Sequence, residues 1–261
     1  MYKFKPDFYA DVRTEDRFTT TIAYVNGSKQ EAKEREEKRA FIRVFDGKMW
    51  FYASTTDLES VQAELDKLYA MAKSNKKILS NRIVRKYEIN TDVKMTFGPI
   101  SVKNVSFKAK EDLLLSYLKE VEKFKGAMPS GRYVDRNSVY EFSSSKGAYV
   151  KYDYQTCGIV LSTTFVTEND YFQARYQQGE TEFEKLLGKK AAVKRAFEEQ
   201  KNYANEAKEV KPGNYTVILS PEAAGVFAHE SFGHKSEADF MLADEGIAKE
   251  WTIGKTVASP L

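Results

Sequence analysis

The sequence predicts an α+β protein. We expect a mostly antiparallel β-sheet with flanking helices, followed by the start of a second domain that a motif-bearing helix opens. Residues 138–178 contain long runs of Tyr, Val, Phe, Thr and Ile, which favour extended strands. Other segments place apolar residues at the three-to-four spacing that is typical of helices packed on a sheet. We therefore assign residues 1–208 to an N-terminal α+β domain and residues 209–261 to the beginning of a second domain.

The N-terminal part of the chain is predicted to contain a hairpin and then a helix. Residues 39–54 form two apolar runs around Asp46-Gly47, a dipeptide that favours a tight turn between strands. Residues 58–72 place apolar side chains at helical spacing, and the Thr-Thr-Asp segment at 55–57 can cap that helix. The expected order here is strand, turn, strand and helix.

The middle of the chain is predicted to return to strands. Residues 82–107 contain β-rich segments, and a second helix is expected at residues 110–125, ended by Gly126. Three or four antiparallel strands should then occupy residues 138–178. Their turn signals are Ser145-Lys146-Gly147, Thr156-Cys157-Gly158 and Glu168-Asn169-Asp170. A charged, alanine-containing helix at about 181–208 completes the first domain.

The second domain is expected to open with a strand that leads directly into a helix. After a break at residues 211–213 (Lys-Pro-Gly), residues 215–219 form a short apolar strand. Ser220 is a favourable N-cap, and Pro221 suits the first helical position because its missing N–H would have no partner there. The helix should continue to about Leu242.

Composition limits the compartment and the class of partner. The chain has 41 Lys and Arg against 38 Asp and Glu, a net charge of +3, which argues against a dedicated nucleic-acid binder. The one cysteine, Cys157, forms no intrachain disulfide, suits a reducing compartment and is predicted to be a small buried strand residue. No apolar run approaches the roughly 18 residues of a membrane span. We expect a soluble, cytoplasmic protein with no membrane partner.

Both histidines of the chain lie in one short segment, His-Glu-Ser-Phe-Gly-His at 229–234. The histidine imidazole is a common ligand of zinc, and a glutamate beside a zinc-bound water is a common general base in peptide hydrolysis. We predict that His229 and His234 bind the metal and that Glu230 is the catalytic base. The alternative, two ordinary polar histidines on a helix, is disfavoured by the adjacent glutamate, the strand-to-helix entry and the absence of any other histidine.

The spacing of the two histidines requires an irregular helix. Positions i and i+5 of a regular α-helix point about 140° apart, whereas i and i+4 are separated by only about 40°. One inserted residue, as in a π-bulge, would bring His229 and His234 to one face. Gly233 tolerates unusual backbone geometry and is the expected place for that distortion.

These residues resemble the TldD/PmbA family of metallopeptidases, and in particular its HExxxH-bearing, TldD-like branch. The resemblance rests on residues 211–221, the stretch 223–228, the motif at 229–234 and the following Lys-Ser-Glu-Ala-Asp at 235–239. It implies a zinc-dependent peptidase that hydrolyses small or unstructured peptides. It also implies a homodimer, or a heterodimer with a PmbA-like paralogue, that encloses the site. Carried over to this chain, His229 and His234 are the ligands, Glu230 is the base, and Glu237 and Asp239 are candidates to support the ligands.

The resemblance also indicates what this chain lacks. The family's third metal ligand is expected to be a cysteine in a C-terminal half, and Cys157 does not correspond to it. Catalytic zinc usually has three protein ligands, so two histidines alone should bind the ion weakly. The closing residues 256–261 are an unusual terminus. We therefore expect a truncated chain that is inactive on its own.

Three alternatives remain open at this point. HESFGH also fits the HExxGH pattern of dipeptidyl peptidase III, although the β-rich region 138–178 disfavours that mainly helical protein. A non-catalytic subunit could bind peptides at the edges of its aromatic strands. An assembly subunit could use exposed strands as a dimer interface. Metal affinity that depends on His229 and His234 separates the peptidase from the last two.

Overall fold

The computed structural model describes residues 2–168, 170–243, 246, 249 and 251–256 of the chain. The chain divides into a first unit, Met1–Ala207, and a second unit, Lys208–Leu261. The first unit is a seven-stranded, mostly antiparallel sheet with flanking helices, which confirms the predicted fold class. That the two units are separate domains stays a prediction. Among the described residues, no helix is both long and apolar enough to cross a membrane.

The sheet of the first unit has the strand order β3-β2-β1-β5-β6-β4, and β7 also pairs with β6. The strands are β1 (Tyr9–Val25), β2 (Ser28–Phe45), β3 (Trp50–Thr55), β4 (Thr91–Lys94), β5 (Ala127–Ser144), β6 (Tyr149–Val166) and β7 (Tyr171–Glu180). All pairs are antiparallel except β4 with β6. The strands β4 and β7 share one edge of β6 because β4 pairs with its first residues and β7 with its second half.

Two tight turns fix the register at one side of the sheet. Asn26 and Gly27 both have positive φ, 49° and 73°, which suits the twist between β1 and β2. The predicted hairpin at Asp46-Gly47 is confirmed between β2 and β3. There the Asp46 carboxylate accepts the backbone N–H groups of Lys48 and Met49, each at 2.8 Å, and Gly47 has a φ of 100°. Both turns therefore use residues that tolerate the left-handed region.

Three helices cover the core face of the sheet: α1 (Val61–Met71), α2 (Phe107–Glu122) and α3 (Lys190–Glu206). The predicted cap of the first is confirmed, because the Asp57 carboxylate accepts the Glu59 N–H at the start of a 3-10 turn that leads into α1. One core cluster joins α1 to β1 and β2, and a larger one lies beneath α2 and α3. Fully buried members of the larger cluster include Ile22, Leu114, Leu118, Tyr133, Ile159, Leu161, Val193 and Phe197.

The prediction of β-rich structure at residues 82–107 is wrong for most of that segment. Only β4 is extended, and 3-10 turns occupy Val84–Lys86 and Val102–Asn104. The cause is competition from side chains of β6. The Asp153 carboxylate accepts the N–H groups of Thr96 and Phe97, each at 2.7 Å. The Gln155 amide oxygen similarly accepts the Val102 N–H at 2.9 Å. These backbone donors need no neighbouring strand.

The expected turn at residues 156–158 is also wrong, because β6 runs through it without a break. Gly158 is required there for another reason. A Cβ atom on it would lie 3.0 Å from the carbonyl oxygen of Gln178 in β7, which is too close for an ordinary contact. The glycine therefore permits close approach of two strands rather than a turn.

Two helix boundaries differ from the sequence prediction. The helix expected at 181–208 begins at Lys190, after a 3-10 turn at Phe183–Leu186. The second helix ends at Glu122, and Lys125, with a φ of 55°, occupies the left-handed position that Gly126 was expected to fill. Gly126 is instead held against β6, where an added Cβ would lie 2.4 Å from the Thr163 hydroxyl.

A fully buried ion pair attaches α2 to the sheet. The Lys110 ammonium lies 2.8 Å from the Asp135 carboxylate, and neither side chain has exposed surface. Asp135 also accepts the Thr20 N–H and the Tyr133 hydroxyl, each at 2.8 Å, and Lys110 donates to the Thr20 hydroxyl. Burial raises the pKa of the Tyr133 hydroxyl, which therefore stays a donor to Asp135. Each charge is thus compensated by several partners.

The opposite face of the sheet carries charged and aromatic side chains, and α1, α2 and α3 do not cover it; at one end the 3-10 turns at Ile78–Ser80 and Val84–Lys86 pack on Tyr9 and Phe45. We call this face, defined by the residues of β1, β2, β3, β5 and β6 that share the side of Glu15, the open face. Cross-strand register and strand alternation place eight basic and four acidic described residues on it. They are Arg13, Arg17, Lys33, Arg35, Arg39, Arg43, Arg132 and Arg136, with Asp11, Glu15, Glu31 and Glu37.

Replacing the buried carboxylate by Asp135→Ala should lower the free energy of unfolding by about 3–5 kcal/mol, because it leaves the Lys110 ammonium buried without its partner. Urea unfolding followed by circular dichroism measures this change. The matched control is Asp112→Ala, which removes an exposed carboxylate paired with Lys108 on the same helix and should leave the urea midpoint unchanged. Equal midpoints for the two variants would show that the buried pair does not stabilise the fold.

Candidate metal centre

The helix that carries the histidines begins where the sequence predicts. The Ser220 hydroxyl accepts the Ala223 N–H at 3.3 Å, and Pro221 is the first residue of α4 (Pro221–Ala228). The strand predicted at residues 215–219, however, is absent, and these side chains are exposed. A strand needs a neighbour for its N–H and C=O groups, and the described residues provide none for this segment.

The predicted irregularity of the helix is confirmed at the motif. A π-helical turn spans His229–Gly233, a 3-10 turn follows at His234–Ser236, and α5 (Ala238–Ala243) begins after an extended residue at Glu237. The N–H of His234 donates to the carbonyl of His229, five residues earlier. This hydrogen bond brings i and i+5 to the same side, as the spacing of the histidines requires.

The expected role of Gly233 in that distortion is wrong. Its φ and ψ, −57° and −54°, are ordinary right-handed helical values. A Cβ added at Gly233 would meet the His229 ring at 3.6 Å, an ordinary contact. The angles of His229 and His234 are also helical, so the turn widens although both histidines and Gly233 keep α-region angles. A glycine is therefore not needed for the π turn.

The motif brings three potential ligands together. One ligand atom from each of His229, Glu230 and His234 lies within 4.8 Å of the others. The two imidazole rings are 4.5 Å apart between centroids and inclined at 68°, and a Glu230 carboxylate oxygen lies 3.7 Å from His234 Nε2. Histidine nitrogens and carboxylate oxygens are the ligand types that zinc takes in catalytic sites. The donor set fits a zinc ion.

A second carboxylate orients one of the imidazoles. A Glu237 carboxylate oxygen lies 2.5 Å from His234 Nδ1. With the proton on Nδ1, the ring donates to Glu237 and leaves the Nε2 lone pair for a metal. Asp239, in the first turn of α5, makes no hydrogen bond or ion pair with the other motif residues in the described part of the chain. The structure thus brings Glu237 to the site and does not bring Asp239 there.

The centre is open to water in this chain. His229 and Glu230 are exposed, and His234 is partly exposed. Sequence reasoning missed one contact beside it: the Phe232 ring packs edge-on against Trp251, with 4.6 Å between ring centroids. Sequence reasoning could not pair Phe232 with Trp251, because Trp251 lies beyond the predicted end of the motif-bearing helix. The contact links the motif turn to a later part of the second unit.

The cysteine of the chain is not a ligand candidate. Cys157 lies within β6 of the first unit and is 3% exposed, which confirms the predicted buried strand residue. Burial raises the pKa of its thiol to about 12, and the Asp135 carboxylate adds to that effect. The thiol is therefore protonated near neutral pH, whereas metal binding requires a thiolate.

Two parts of the chain match families of known proteins. Residues 10–75 match the family described as PmbA/TldA metallopeptidase domain 1, and residues 212–261 match the family described as PmbA/TldA metallopeptidase C-terminal domain. The second match includes the whole histidine motif.

Curated relatives and a solved structure agree with these matches. Metalloprotease MJ0996 of Methanocaldococcus jannaschii is 28% identical over 258 residues, which are 96% of this chain and 56% of the relative. A zinc metalloprotease TldD homolog of Saccharolobus solfataricus is 51% identical over 45 residues, 16% of this chain and 10% of the relative. A Bacteroides thetaiotaomicron structure, named for a candidate modulator of DNA gyrase, matches with a TM-score of 0.66 and 14% identity over 87% of this chain and 53% of that chain.

These similarities support different conclusions. At 14% identity the solved structure supports the fold alone. The chain spans about half the length of the curated relatives that it matches over 96% of its own residues.

The Cys157 thiol should react with a disulfide reagent about a thousandfold more slowly in the native chain than free cysteine does at pH 8. A pKa of about 12 leaves little thiolate, and burial blocks access. Absorbance of the released thiolate measures the rate, and concentrated guanidinium chloride should restore it. Cys157→Ser gives the blank. Rapid labelling of the native chain would show a reactive cysteine that the structure does not contain.

Proposed function

Because the chain belongs to the PmbA/TldD family of metallopeptidases, we propose that it carries part of the zinc site of a TldD-like peptidase acting on small or unstructured peptides. The observation that carries the proposal is the π turn, which gathers the ligand atoms of His229, Glu230 and His234 within 4.8 Å. The name of the zinc metalloprotease TldD homolog, 51% identical over a short segment, supports zinc as the metal.

In this proposal each motif residue has a separate task. His229 and His234 would hold the zinc ion, which would supply acidification of a water molecule and polarisation of the scissile carbonyl. Glu230, beside His234 and open to solvent, accepts the proton of the attacking water. Glu237 fixes the His234 ring through Nδ1, so that Nε2 is presented to the metal.

Two histidines leave the site short of protein ligands. Catalytic zinc usually has three protein ligands and one open position for water. We therefore propose that the third ligand comes from outside this sequence, as the resemblance to the TldD branch implies. The fraction of its curated relatives that the chain spans, 56% and 55%, agrees with this expectation. On this basis the chain alone should bind zinc weakly and hydrolyse peptides poorly.

The assembly and compartment are part of the proposal. We expect the peptidase to act in the cytoplasm, as a homodimer or with a PmbA-like paralogue, on peptides that enter an enclosed site. The alternative, a non-catalytic subunit that binds peptides at strand edges, has less support in the sheet. β5 is paired on both sides, and β6 is paired by β5 on one side and by β4 and β7 on the other. Among the described residues of these aromatic strands, only β7 has a long edge without a neighbouring strand, and there the Gln200 side chain already bonds the N–H and C=O of Arg175.

Zinc titration by calorimetry tests the ligand assignment in the chain itself. We expect weak binding that His229→Ala or His234→Ala abolishes, since either variant leaves one imidazole. Lys235→Ala, an exposed neighbour in the same turn, should leave the affinity unchanged. Binding that survives both histidine variants would exclude this site.

The orienting role of Glu237 predicts a graded effect. Glu237→Gln should weaken zinc binding about tenfold, because the neutral amide accepts the His234 Nδ1–H less strongly. Asp239→Asn is the matched control on the same segment and should change the affinity less than about twofold. If the two variants are alike, Glu237 does not orient the ligand.

The base assignment requires the full-length protein, alone and mixed with a PmbA-like partner. Glu230→Gln should retain zinc and lower kcat for an unstructured peptide by about a hundredfold or more, because the amide cannot accept the proton. Mass spectrometry of the products measures cleavage, and zinc content is determined on the same samples. Full activity of Glu230→Gln would contradict the mechanism.

A further inference from the structure

An open groove on the first unit has the chemistry of an anion-binding site. It has a volume of about 770 Å³ and lies where β1, β2 and β3 meet the start of the α1 region. Its lining from the open face includes Arg13, Glu15, Arg39, Phe41 and Tyr140. This volume falls within the range of roughly 300–1,000 Å³ that is typical of ligand sites. From this groove we infer that the open face binds an extended, acidic peptide segment through its carboxylates.

The charge of the open face favours an anionic partner. Its eight basic and four acidic residues give an excess of four positive charges, more than the +3 of the whole chain. The rest of the chain is therefore close to neutral. Such a one-sided distribution attracts acidic partners and repels basic ones.

One buried carboxylate gathers three arginines of the open face, and one of them, Arg39, lines the groove. Glu15 accepts from the guanidinium of Arg39 at 2.6 Å, of Arg136 at 2.6 Å and of Arg17 at 3.1 Å. Burial alone would raise the pKa of Glu15, but hydrogen bonds from Ser138, Arg39, Tyr140 and Arg136 lower it below the usual range. Three guanidiniums around one carboxylate leave two positive charges unneutralised. The Arg39 side chain is still 52% exposed at the groove.

Arg13 is the cation best placed to meet a ligand. Its side chain is 47% exposed, and its nearest carboxylate, Asp11, is 3.8 Å away and already makes a closer pair with Arg43 at 2.6 Å. The Arg13 guanidinium lies 5.4 Å from the centroid of the Phe142 ring, which restricts its orientation. A guanidinium held in this way can bind a carboxylate in a bidentate manner at a small entropic cost.

Aromatic rings beside these cations suit a polypeptide. Phe41 stacks on Tyr52 at 5.8 Å, and both rings are exposed. Tyr140 stacks on Tyr152 at 5.1 Å on the other side of β1. The acidic residues Glu31 and Glu37 interrupt the basic surface, which disfavours the continuous phosphate backbone of a nucleic acid. A peptide whose carboxylates are separated by neutral residues fits this alternation of basic and acidic side chains better. The inference goes beyond the proposed peptidase and holds whether or not the chain hydrolyses peptides.

Fluorescence anisotropy with the whole chain tests the inference. The probe is a labelled peptide of alternating glutamate and serine, compared with alternating glutamine and serine of the same length. We expect saturable binding of the glutamate peptide only, weakened by added salt. Arg13→Gln should weaken it about tenfold, which corresponds to the loss of one bidentate contact. Arg13→Lys should weaken it less, because it keeps the charge.

Arg195→Gln is the matched control, since it removes one exposed arginine from α3, outside the open face, and should leave the affinity unchanged. Circular dichroism confirms that each variant is folded. Equal binding of the two peptides, no saturable binding, or no effect of Arg13→Gln would overturn the inference. A single-stranded oligonucleotide of equal charge is the last comparison, and tighter binding of it than of the glutamate peptide would also overturn it. The zinc-site variants do not enter this assay, so its outcome is separate from that of the proposed function.

Discussion

The candidate centre depends on one backbone hydrogen bond, from the N–H of His234 to the carbonyl of His229. In a regular α-helix, side chains five residues apart point in directions about 140° apart, and no single ion could reach both. The π turn removes that separation while both histidines and Gly233 keep α-region angles. The carboxylates of Glu230 and Glu237 then lie on either side of His234, at 3.7 Å and 2.5 Å. All chemistry proposed for the motif follows from this widened turn.

Local pattern was sufficient for most of the fold. The hairpin at Asp46-Gly47, the helices α1 and α2 and the Ser220 cap each depend on residues close in sequence, and each was predicted. The main error, at residues 82–107, was caused by residues that are distant in the sequence. The segment 82–107 lacks most of its expected strands because Asp153 and Gln155, more than 50 positions later, accept its backbone donors. A single sequence does not show such pairings.

For the candidate metal centre, too, the sequence predicted the residues better than their arrangement. Residue types and spacing were enough to select His229, Glu230 and His234 and to require an irregular helix. They did not show how the helix would widen, so the distortion was attributed to Gly233, whose backbone is ordinary. The two supporting acids could not be ranked either. Glu237 immediately precedes α5 and contacts His234, while Asp239 lies within α5 and does not.

The two units are stabilised by different physics. The first has large core clusters and a buried ion pair, so its sheet can hold the arginines of the open face in fixed positions. In the second unit none of the described side chains is buried, and α4 is held by its cap and by local hydrogen bonds. A short helix without a packed face is only marginally stable in water. An ion that binds both histidines would therefore stabilise the π turn as it binds, and part of its binding free energy would be used to order that turn. The weak zinc affinity that we propose would thus follow from the exposure of the motif.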